Sequence, residues 1–510
     1  MTKRARDAGP AARSNPPASR VPAARLFPSP AELLDPRGPY LIPLLLLFAT
    51  RIIAWRAIGG GAEDAYITYR YAHHLAAGNG LVYNPGEHVM GFSSPLWTVW
   101  NALGFLLTRQ PLLWSRATSL LADVITLLVL ARLLARTIST TAAWCFACFF
   151  AAWPYFAAVA MSGMESSLVL AWIALAAGLL GTGSTLAGPV VGALALTRPE
   201  GLVAAAVLSL GLSGRARILA AAIVALGLAA LFAVFGTIVP QSLVAKASIY
   251  GAPGPWAGRY WWDWLSPIPL GRRSRLGDVA LLSLLTLLWA PTVVVGARMM
   301  WRARRSALAL ATAAAVVVWL GYVVVGAGYF WWYLAVPLGG ISLLAAAGFP
   351  QIARGPALYV VAALTIAGAW IPSRQLYVGR WQEESGTFGV AASYLREHAR
   401  PGDKAFLEPI GMIGYEAPLR IVDEVGLVSP RVAARRRQGA GWYADVVTVE
   451  RPDWLVLRHG LMRTGEAFAG AGAPFRSAAE RDSTLARFQP MAQSDPQLSD
   501  QTLMILRRIR

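Results

Sequence analysis

Long apolar runs alternate with short polar turns from Leu41 to Ile371. A helix that crosses a bilayer needs about 20 apolar residues, and the runs approach that length. The pattern therefore predicts a polytopic α-helical membrane protein with about 11 spans, with an uncertainty of about two where the runs are short. The predicted spans are 41–57, 114–134, 141–160, 167–181, 185–197, 201–213, 216–236, 278–297, 306–326, 332–348 and 356–372.

The apolar stretch 94–108 determines the predicted orientation. The strongest Arg clusters, at 131–137 and 298–305, belong on the cytoplasmic side by the positive-inside rule. A crossing at 94–108 would move the first cluster outside, so we interpret this stretch as an interfacial or re-entrant helix. The N-terminus is then cytoplasmic, and the loop 58–113 lies outside.

The hydrophobic pattern changes after Ile371, because charged residues become common and no span-length run follows. We predict three regions: a disordered basic cytoplasmic tail (1–38), a transmembrane domain (39–372) and an extracytoplasmic α/β domain (373–510). Within the last region, 389–409 predicts a helix, a turn and a strand, and 452–460 predicts another strand. Its acids Glu408, Glu416, Asp423 and Glu424 are interpreted as solvated surface.

Composition supports the membrane assignment, with 56% hydrophobic and 14% charged residues. Soluble proteins carry about 25% charged residues. The net charge of +19 is explained by the positive-inside rule, and no basic stripe with interleaved aromatic residues indicates nucleic-acid binding. Cys145 and Cys148 lie in an apolar run, so we interpret them as small buried helix residues rather than a redox pair.

Unusual polar groups gather at the predicted outer face, where charges near hydrocarbon are costly and are usually paired or functional. They are Glu63, Asp64, Glu165, Arg198, Glu200 and Lys246. Each has a structural alternative. Asp64 would cap the helix that follows it and ends at Gly78, and Glu165 would stabilise a helix N-terminus. Arg198 and Glu200 would form a local salt bridge, and Lys246 would snorkel to the interface.

Several motifs resemble membrane glycosyltransferases of the GT-C class. They are "EDAYITYRYAHHLAAGNGLVYNPGEHVMGFSSPLW", "SGMESS", "TRPEG", "VPQSLVAKAS" and "FWWYLAVP". The nearest look-alikes are the mycobacterial terminal β-arabinofuranosyltransferases and their uncharacterised bacterial relatives. The resemblance implies a GT-C-like fold in the bacterial cytoplasmic membrane. Here Pro240-Gln241-Ser242 departs from the Pro-Asn-Thr-type turn of the family.

The resemblance also implies an activity. Such enzymes transfer a sugar from a polyprenyl phosphate donor to a cell-envelope glycan, lipid or protein acceptor, and a pentose such as arabinofuranose is a candidate sugar. The family's acidic pair corresponds to the catalytic candidates Glu63 and Asp64. The pair departs from Asp-Asp at its first position, which leaves either carboxylate as the base, and we favour Asp64. Attack opposite the phosphate implies inversion at the anomeric carbon.

The other site assignments rest on the same resemblance. Lys246, Arg198 and Arg70 are assigned to the donor phosphate. The residues assigned to the substrates are Glu165, Glu200, His74, Trp331, Trp332 and Tyr333. An aromatic belt at the membrane edge is an equal alternative for the three aromatic residues. A divalent cation, Mg²⁺ or Mn²⁺, is a candidate cofactor, although no convincing ligand set appears.

Two other function classes compete with a glycosyltransferase. A transporter or lipid flippase is the first alternative, but the two halves show no repeat and the polar groups gather at one face. A non-catalytic assembly or lipid-binding protein, with the outer domain as its active part, is the second.

Overall fold

The structure is a computed structural model that describes residues 25–250, 276–353, 355–373, 380–463, 468, 470 and 472–509. Its first part consists of sixteen described helices and one 3-10 turn at Trp331–Leu334. The helices are α1 (Pro30–Leu34), α2 (Leu41–Ile58), α3 (Glu63–Ala76), α4 (Pro95–Thr108), α5 (Pro111–Thr137), α6 (Thr140–Ala152), α7 (Pro154–Met161), α8 (Ser166–Gly181), α9 (Ala187–Ala195), α10 (Pro199–Ser209), α11 (Gly214–Phe235), α12 (Gln241–Tyr250), α13 (Leu276–Arg302), α14 (Ala307–Val324), α15 (Ala335–Ile352) and α16 (Pro356–Ser373).

Five helical stretches in the described residues are long and apolar enough to cross a bilayer, and the pair α6–α7, bent by 54°, would be a sixth. The five are α2, α5, α11, α14 and the stretch Trp331–Ile352. Each coincides with a predicted span. The predicted spans 185–197 and 201–213 contain only α9 and α10, about 14 and 17 Å long, against a hydrocarbon thickness of about 30 Å. The number of crossings therefore stays a prediction.

A buried ion pair stabilises the bend between α6 and α7. Pro154 has no N–H group, so the carbonyl of Phe150 has no donor one turn later. Arg51 of α2 donates to the carbonyl oxygens of Phe150 (3.3 Å) and Ala151 (2.6 Å). Asp123 of α5 balances its charge at 2.8 Å, and both side chains are 1% exposed. The sequence analysis did not single out this pair.

The second part of the chain combines a five-stranded sheet with short helices. The helices are α17 (Arg380–His398), α18 (Gly411–Glu416), α19 (Pro430–Arg437), α20 (Trp442–Glu450), α21 (Gly460–Arg463) and α22 (Ala478–Leu485). The strands are β1 (Lys404–Leu407), β2 (Arg420–Asp423), β3 (Trp454–Arg458), β4 (Phe488–Gln493) and β5 (Leu503–Arg508). The predicted helix and both predicted strands are confirmed. The domain boundaries at 38 and 372 remain predictions.

The sheet has the order β2-β1-β3-β5-β4, with β2, β1 and β3 parallel and the other pairings antiparallel. Alternate residues of its central strands pack on opposite faces, so both faces are buried. Phe406 lies in the core that contains Tyr443 of α20. Leu407 lies in the core that contains Tyr71 of α3 and Met90 of the first loop, which is residues 58–113. The sheet domain, formed by β1–β5 and α17–α22, therefore sits directly on the first loop.

Candidate functional site

A cavity of about 40 Å³ lies where the first loop, the start of α8, α12 and the sheet domain meet. It brings together six of the predicted site residues. They are Asp64, Glu165, Arg198, Lys246, Trp332 and Tyr333. These residues are far apart in the sequence, from Asp64 to Tyr333, and the fold brings them together around one cavity.

Asp64 faces Lys246 in this cavity. The Lys246 Nζ atom donates to Asp64 Oδ2 at 3.2 Å, and the two side chains are 24% and 20% exposed for Asp64 and Lys246. Burial by itself would lower the pKa of Lys246, but the neighbouring Asp64 carboxylate raises it above its ordinary value. The Nζ atom also lies 4.4 Å from the centroid of the Phe330 ring. A protonated ammonium group therefore stands beside a partly exposed carboxylate.

Neither acid of the pair is the N-cap of α3. Ala62 occupies that position without a side-chain cap, and Glu63 and Asp64 lie in the first helical turn, where negative charge is favourable. The helix ends at Ala76 and is followed by Gly78 with φ +79°, as the sequence predicts. The capping interpretation of Asp64 is wrong, because the helix begins two residues earlier than that interpretation required.

Glu63 points towards the sheet domain. Its Oε1 atom accepts the backbone N–H groups of Gly411 and Met412 (3.3 Å) at the start of α18. A Cβ atom at position 411 would collide with the carbonyl oxygen of Glu63, so glycine permits this close approach. The two adjacent acids therefore have different environments: Glu63 holds the sheet domain, and Asp64 faces the cavity and Lys246.

Arg198 lies between two carboxylates. It is bonded to Glu200 and, at 2.5 Å, to Glu165. Its guanidinium carbon also lies 4.9 Å from the centroid of the Tyr333 ring. The local salt bridge with Glu200 is confirmed, and the structure adds Glu165 to it. The triad carries one positive and two negative formal charges.

Arg116 of α5 holds together two segments of the site, the start of the first loop and the turn that precedes α8. It donates to the carbonyl oxygens of Met161 (2.9 Å) and Gly60 (2.8 Å). The N–H group of Ala62 donates to the carbonyl oxygen of Ser162 at 2.7 Å. These bonds fix the Asp64 segment against the Glu165 segment. The sequence analysis missed Arg116, which lies inside a predicted span and gives no other signal.

Gln241 fixes the start of α12 and thereby the position of Lys246. Its backbone N–H donates to the carbonyl oxygen of Met90 (2.8 Å), and its side-chain amide donates to the carbonyl oxygen of Gly426 (3.0 Å). Gln241 therefore anchors this turn to both the first loop and the sheet domain. Ser242 also lines the cavity, and its buried Oγ atom has no hydrogen-bond partner among the residues that the structure describes.

Arg70 and His74 lie on α3 but do not line the cavity described above. The buried Arg70 guanidinium donates to the carbonyl oxygens of Tyr83 (2.8 Å) and Leu419 (2.6 Å). His74 Nδ1 lies 2.9 Å from the carbonyl oxygen of Val82, and burial lowers the pKa of its ring. Both contacts fix the first loop. Arg70 in addition ties it to the sheet domain.

The predicted aromatic residues divide between core and cavity. Trp331 and Trp332 are each only 9% exposed, so neither ring faces lipid and the aromatic-belt alternative is wrong for them. The Tyr155 hydroxyl donates to the Trp331 carbonyl oxygen (2.8 Å), and the Ser166 hydroxyl donates to that of Trp332 (3.2 Å). Trp332 and Tyr333 line the cavity, whereas Trp331 packs in the membrane core.

A second cavity, of about 30 Å³, lies on the other side of Asp64 and Lys246, with Glu408 and Asp423 in its wall. Asp423 is fully buried, and its carboxylate accepts N–H groups from the loop that follows β2. Burial raises its pKa to about 6. The prediction of a solvated Asp423 is wrong because that loop wraps around the carboxylate. Glu408 pairs with Arg458 at 3.0 Å.

The acids of the first loop are not arranged as metal ligands. No group of three His, Cys, Asp or Glu side chains with metal-binding geometry occurs in the described part of the chain. Asp64 bonds to a lysine and Glu63 to backbone N–H groups. The candidate divalent cation therefore has no fitting site among these residues.

Residues 374–501 match a family described as a domain of unknown function (DUF8728). No curated protein sequence matches this chain.

Solved structures give the informative comparison. ArnT from Cupriavidus metallidurans, solved with undecaprenyl phosphate, aligns with a TM-score of 0.59 and 11% identity over 91% of this chain and 97% of that one. The oligosaccharyltransferase AglB from Archaeoglobus fulgidus, solved with an inhibitory peptide and a dolichol-phosphate, aligns with a TM-score of 0.56 and 11% identity over 90% and 73%. This protein has the GT-C fold. The predicted fold class, a helical GT-C-like membrane protein with a C-terminal α/β domain, is confirmed.

Proposed function

We propose that this GT-C protein is a membrane glycosyltransferase that transfers a sugar from a polyprenyl phosphate donor to a cell-envelope glycan, lipid or protein. One observation carries the proposal: the Asp64 carboxylate lies 3.2 Å from the Lys246 ammonium in a cavity between membrane helices and sheet domain. This transfer needs a base for the acceptor hydroxyl and a cation for the leaving phosphate, and Asp64 and Lys246 would supply both in the same cavity.

Asp64 takes the proton of the acceptor hydroxyl as its oxygen bonds to the anomeric carbon. The bond from that carbon to the phosphate oxygen breaks, and its electron pair leaves with the phosphate. A phosphate needs little protonation to leave, unlike the alkoxide of a glycosidase reaction, so one carboxylate suffices. Attack from the side opposite the phosphate inverts the anomeric configuration.

Lys246 is the principal phosphate ligand in this mechanism. It exchanges its bond to Asp64 for one to the leaving group, which frees the carboxylate for the acceptor. The Ser242 hydroxyl in the same cavity, which has no hydrogen-bond partner within the described ranges, is a further donor to the phosphate. Arg198 contributes less, because Glu165 and Glu200 already hold its charge.

The acidic side chains of the site outnumber the basic ones, and this affects the positive charge that forms on the sugar. With Asp64, Glu165 and Glu200 against Lys246 and Arg198, the cluster carries a formal charge of −1. Glycosyl transfer passes through a transition state with positive charge on the sugar ring. A fixed negative surplus would stabilise that charge.

The acceptor is proposed to enter between the first loop and the sheet domain, where the second cavity reaches Asp64 from the side of Glu408. We place the active site at the outer face of a bacterial cytoplasmic membrane, with the N-terminus inside and residues 373–510 outside. For the donor sugar we propose a pentose such as arabinofuranose, on the motif resemblance alone.

The proposal is tested on the full-length protein purified from membranes. Mass spectrometry of the co-purifying lipid is expected to find a polyprenyl phosphate sugar and to name that sugar. With this lipid as donor, the wild type transfers the sugar, and NMR of the product shows inversion. Donor lipid that is moved across vesicle membranes without transfer would instead identify a flippase, and retention would exclude the single-displacement mechanism.

A further inference from the structure

A third and larger cavity, of about 420 Å³, lies at the end of α5 remote from Arg116. Arg116 contacts the loops of the candidate active site, and Arg136 lines this third cavity. At 1.5 Å per residue the two positions are about 30 Å apart along α5, which is the thickness of the hydrocarbon core. The cavity thus lies near the opposite membrane face from Asp64.

Four arginines converge on this cavity. Arg132 and Arg136 come from the first basic cluster of the sequence analysis, Arg305 comes from the second, and Arg25 precedes α1. The positive-inside rule explains why such clusters lie on one side of the membrane. It does not explain why clusters from distant parts of the chain line one concave surface.

The charge of this surface is largely uncompensated. Arg132 is paired, since it bonds to Glu32 at 3.1 Å and to the carbonyl oxygen of Arg25 at 3.0 Å. The side chains of Arg25, Arg136 and Arg305 have no acidic partner among the described residues, and no carboxylate lines the cavity. An anion that entered would meet three free guanidinium groups.

Apolar side chains form a further part of the wall, beside the hydroxyl-bearing Thr137, Thr182 and Ser306. The large apolar side chains are Leu26, Val129, Leu133, Leu180 and Leu310. Gly178 lines the cavity as well, and because a Cβ atom there would collide with Leu26, the glycine allows Leu26 to pack closely against α8. A free inorganic anion needs no apolar wall, whereas a lipid brings both a phosphate and the start of its chains.

We propose that this cavity binds the phosphate group of an anionic lipid. Basic pockets between membrane helices recognise lipid head groups in this way, and guanidinium groups form paired hydrogen bonds to phosphate oxygens. Two lipids offer the chemistry, an anionic phospholipid and a polyprenyl monophosphate. The proposal does not depend on the glycosyltransferase activity.

The test is native mass spectrometry of the delipidated full-length protein, titrated separately with phosphatidylglycerol, a polyprenyl monophosphate and zwitterionic phosphatidylethanolamine. The variant Arg136→Gln/Arg305→Gln removes two exposed arginines that have no acidic partner in the part of the chain that the structure describes. Arg302→Gln is the matched control, because Arg302 is exposed on the same side and does not line the cavity. Arg132 is left intact, because its loss would free the Glu32 carboxylate.

We expect the double variant to bind phosphatidylglycerol, polyprenyl monophosphate or both about 25-fold more weakly, at about fivefold for each charge removed. The control is expected to bind within about twofold of the wild type. The lipid that loses affinity identifies the natural source. Unchanged binding of both anionic lipids in the double variant, or equal binding of phosphatidylethanolamine by the wild type, would overturn the proposal.

Discussion

The split between Glu63 and Asp64 gives the sharpest prediction, because the two carboxylates are adjacent in the sequence and contact different partners. Asp64→Asn preserves the shape of the side chain and an oxygen that can accept from Lys246. It removes the base, which is worth about 10²–10⁴ in rate, or roughly 2.7–5.4 kcal/mol. We expect the kcat of transfer to fall by that factor.

Glu63→Gln is expected to behave differently. The amide oxygen of glutamine still accepts the N–H group of Gly411, and only the charge at the start of α18 is lost. A charge at a helix N-terminus is worth about 0.3–1 kcal/mol. We therefore expect transfer to remain within about fivefold of the wild type.

The assay measures transfer from the co-purified donor lipid, with kcat and donor KM determined separately. Glu87→Gln is the matched control, since Glu87 lies in the same loop but pairs with Arg420 at the surface. In Asp64→Asn the donor KM should not rise, because a neutral amide oxygen holds the Lys246 ammonium less strongly than the carboxylate does and leaves it more available to the phosphate. Equal losses in Asp64→Asn and Glu63→Gln, or more than a tenth of wild-type kcat in Asp64→Asn, would refute the division of roles.

Three further predictions concern the surroundings of the site. Lys246→Met should raise the donor KM about tenfold or more through loss of a charged hydrogen bond, with partial recovery in Lys246→Arg; an unchanged KM would contradict the phosphate role. Arg51→Met should destabilise the protein by about 3–5 kcal/mol, because it leaves Asp123 buried without a partner. Thermal unfolding in detergent measures this loss, and the double variant Arg51→Met/Asp123→Leu should recover most of it. Arg70→Met should loosen the sheet domain and accelerate limited proteolysis after residue 373, and an unchanged cleavage rate would show that this guanidinium does not hold the domain.

Much of the architecture could be read from local pattern. Apolar runs place α2, α5, α11 and α14 correctly, because a bilayer forces each spanning segment to satisfy its own backbone hydrogen bonds. The break at Pro154 follows from the missing N–H group of proline. The lengths of α9 and α10 did not follow, because apolar composition alone does not determine where a helix ends.

The candidate site was only partly predictable. The motif resemblance selected Asp64 and Lys246, and the structure places them 3.2 Å apart. It also selected Arg70, whose environment of backbone carbonyls depends on a domain more than 300 residues away. Asp423 was assigned to solvent because nothing in its neighbours shows that a loop folds over it.

The sequence alone determined the class of protein, the positions of most helices and the existence of an acidic pair beside a membrane span. These depend on period, composition and local turn chemistry, which adjacent residues carry. Only the tertiary structure decided that Glu63 faces the sheet domain while Asp64 faces Lys246, and that arginines from three segments share one cavity. Successive residues on a helix point in different directions, so the role of each side chain depends on which distant segment packs against that direction.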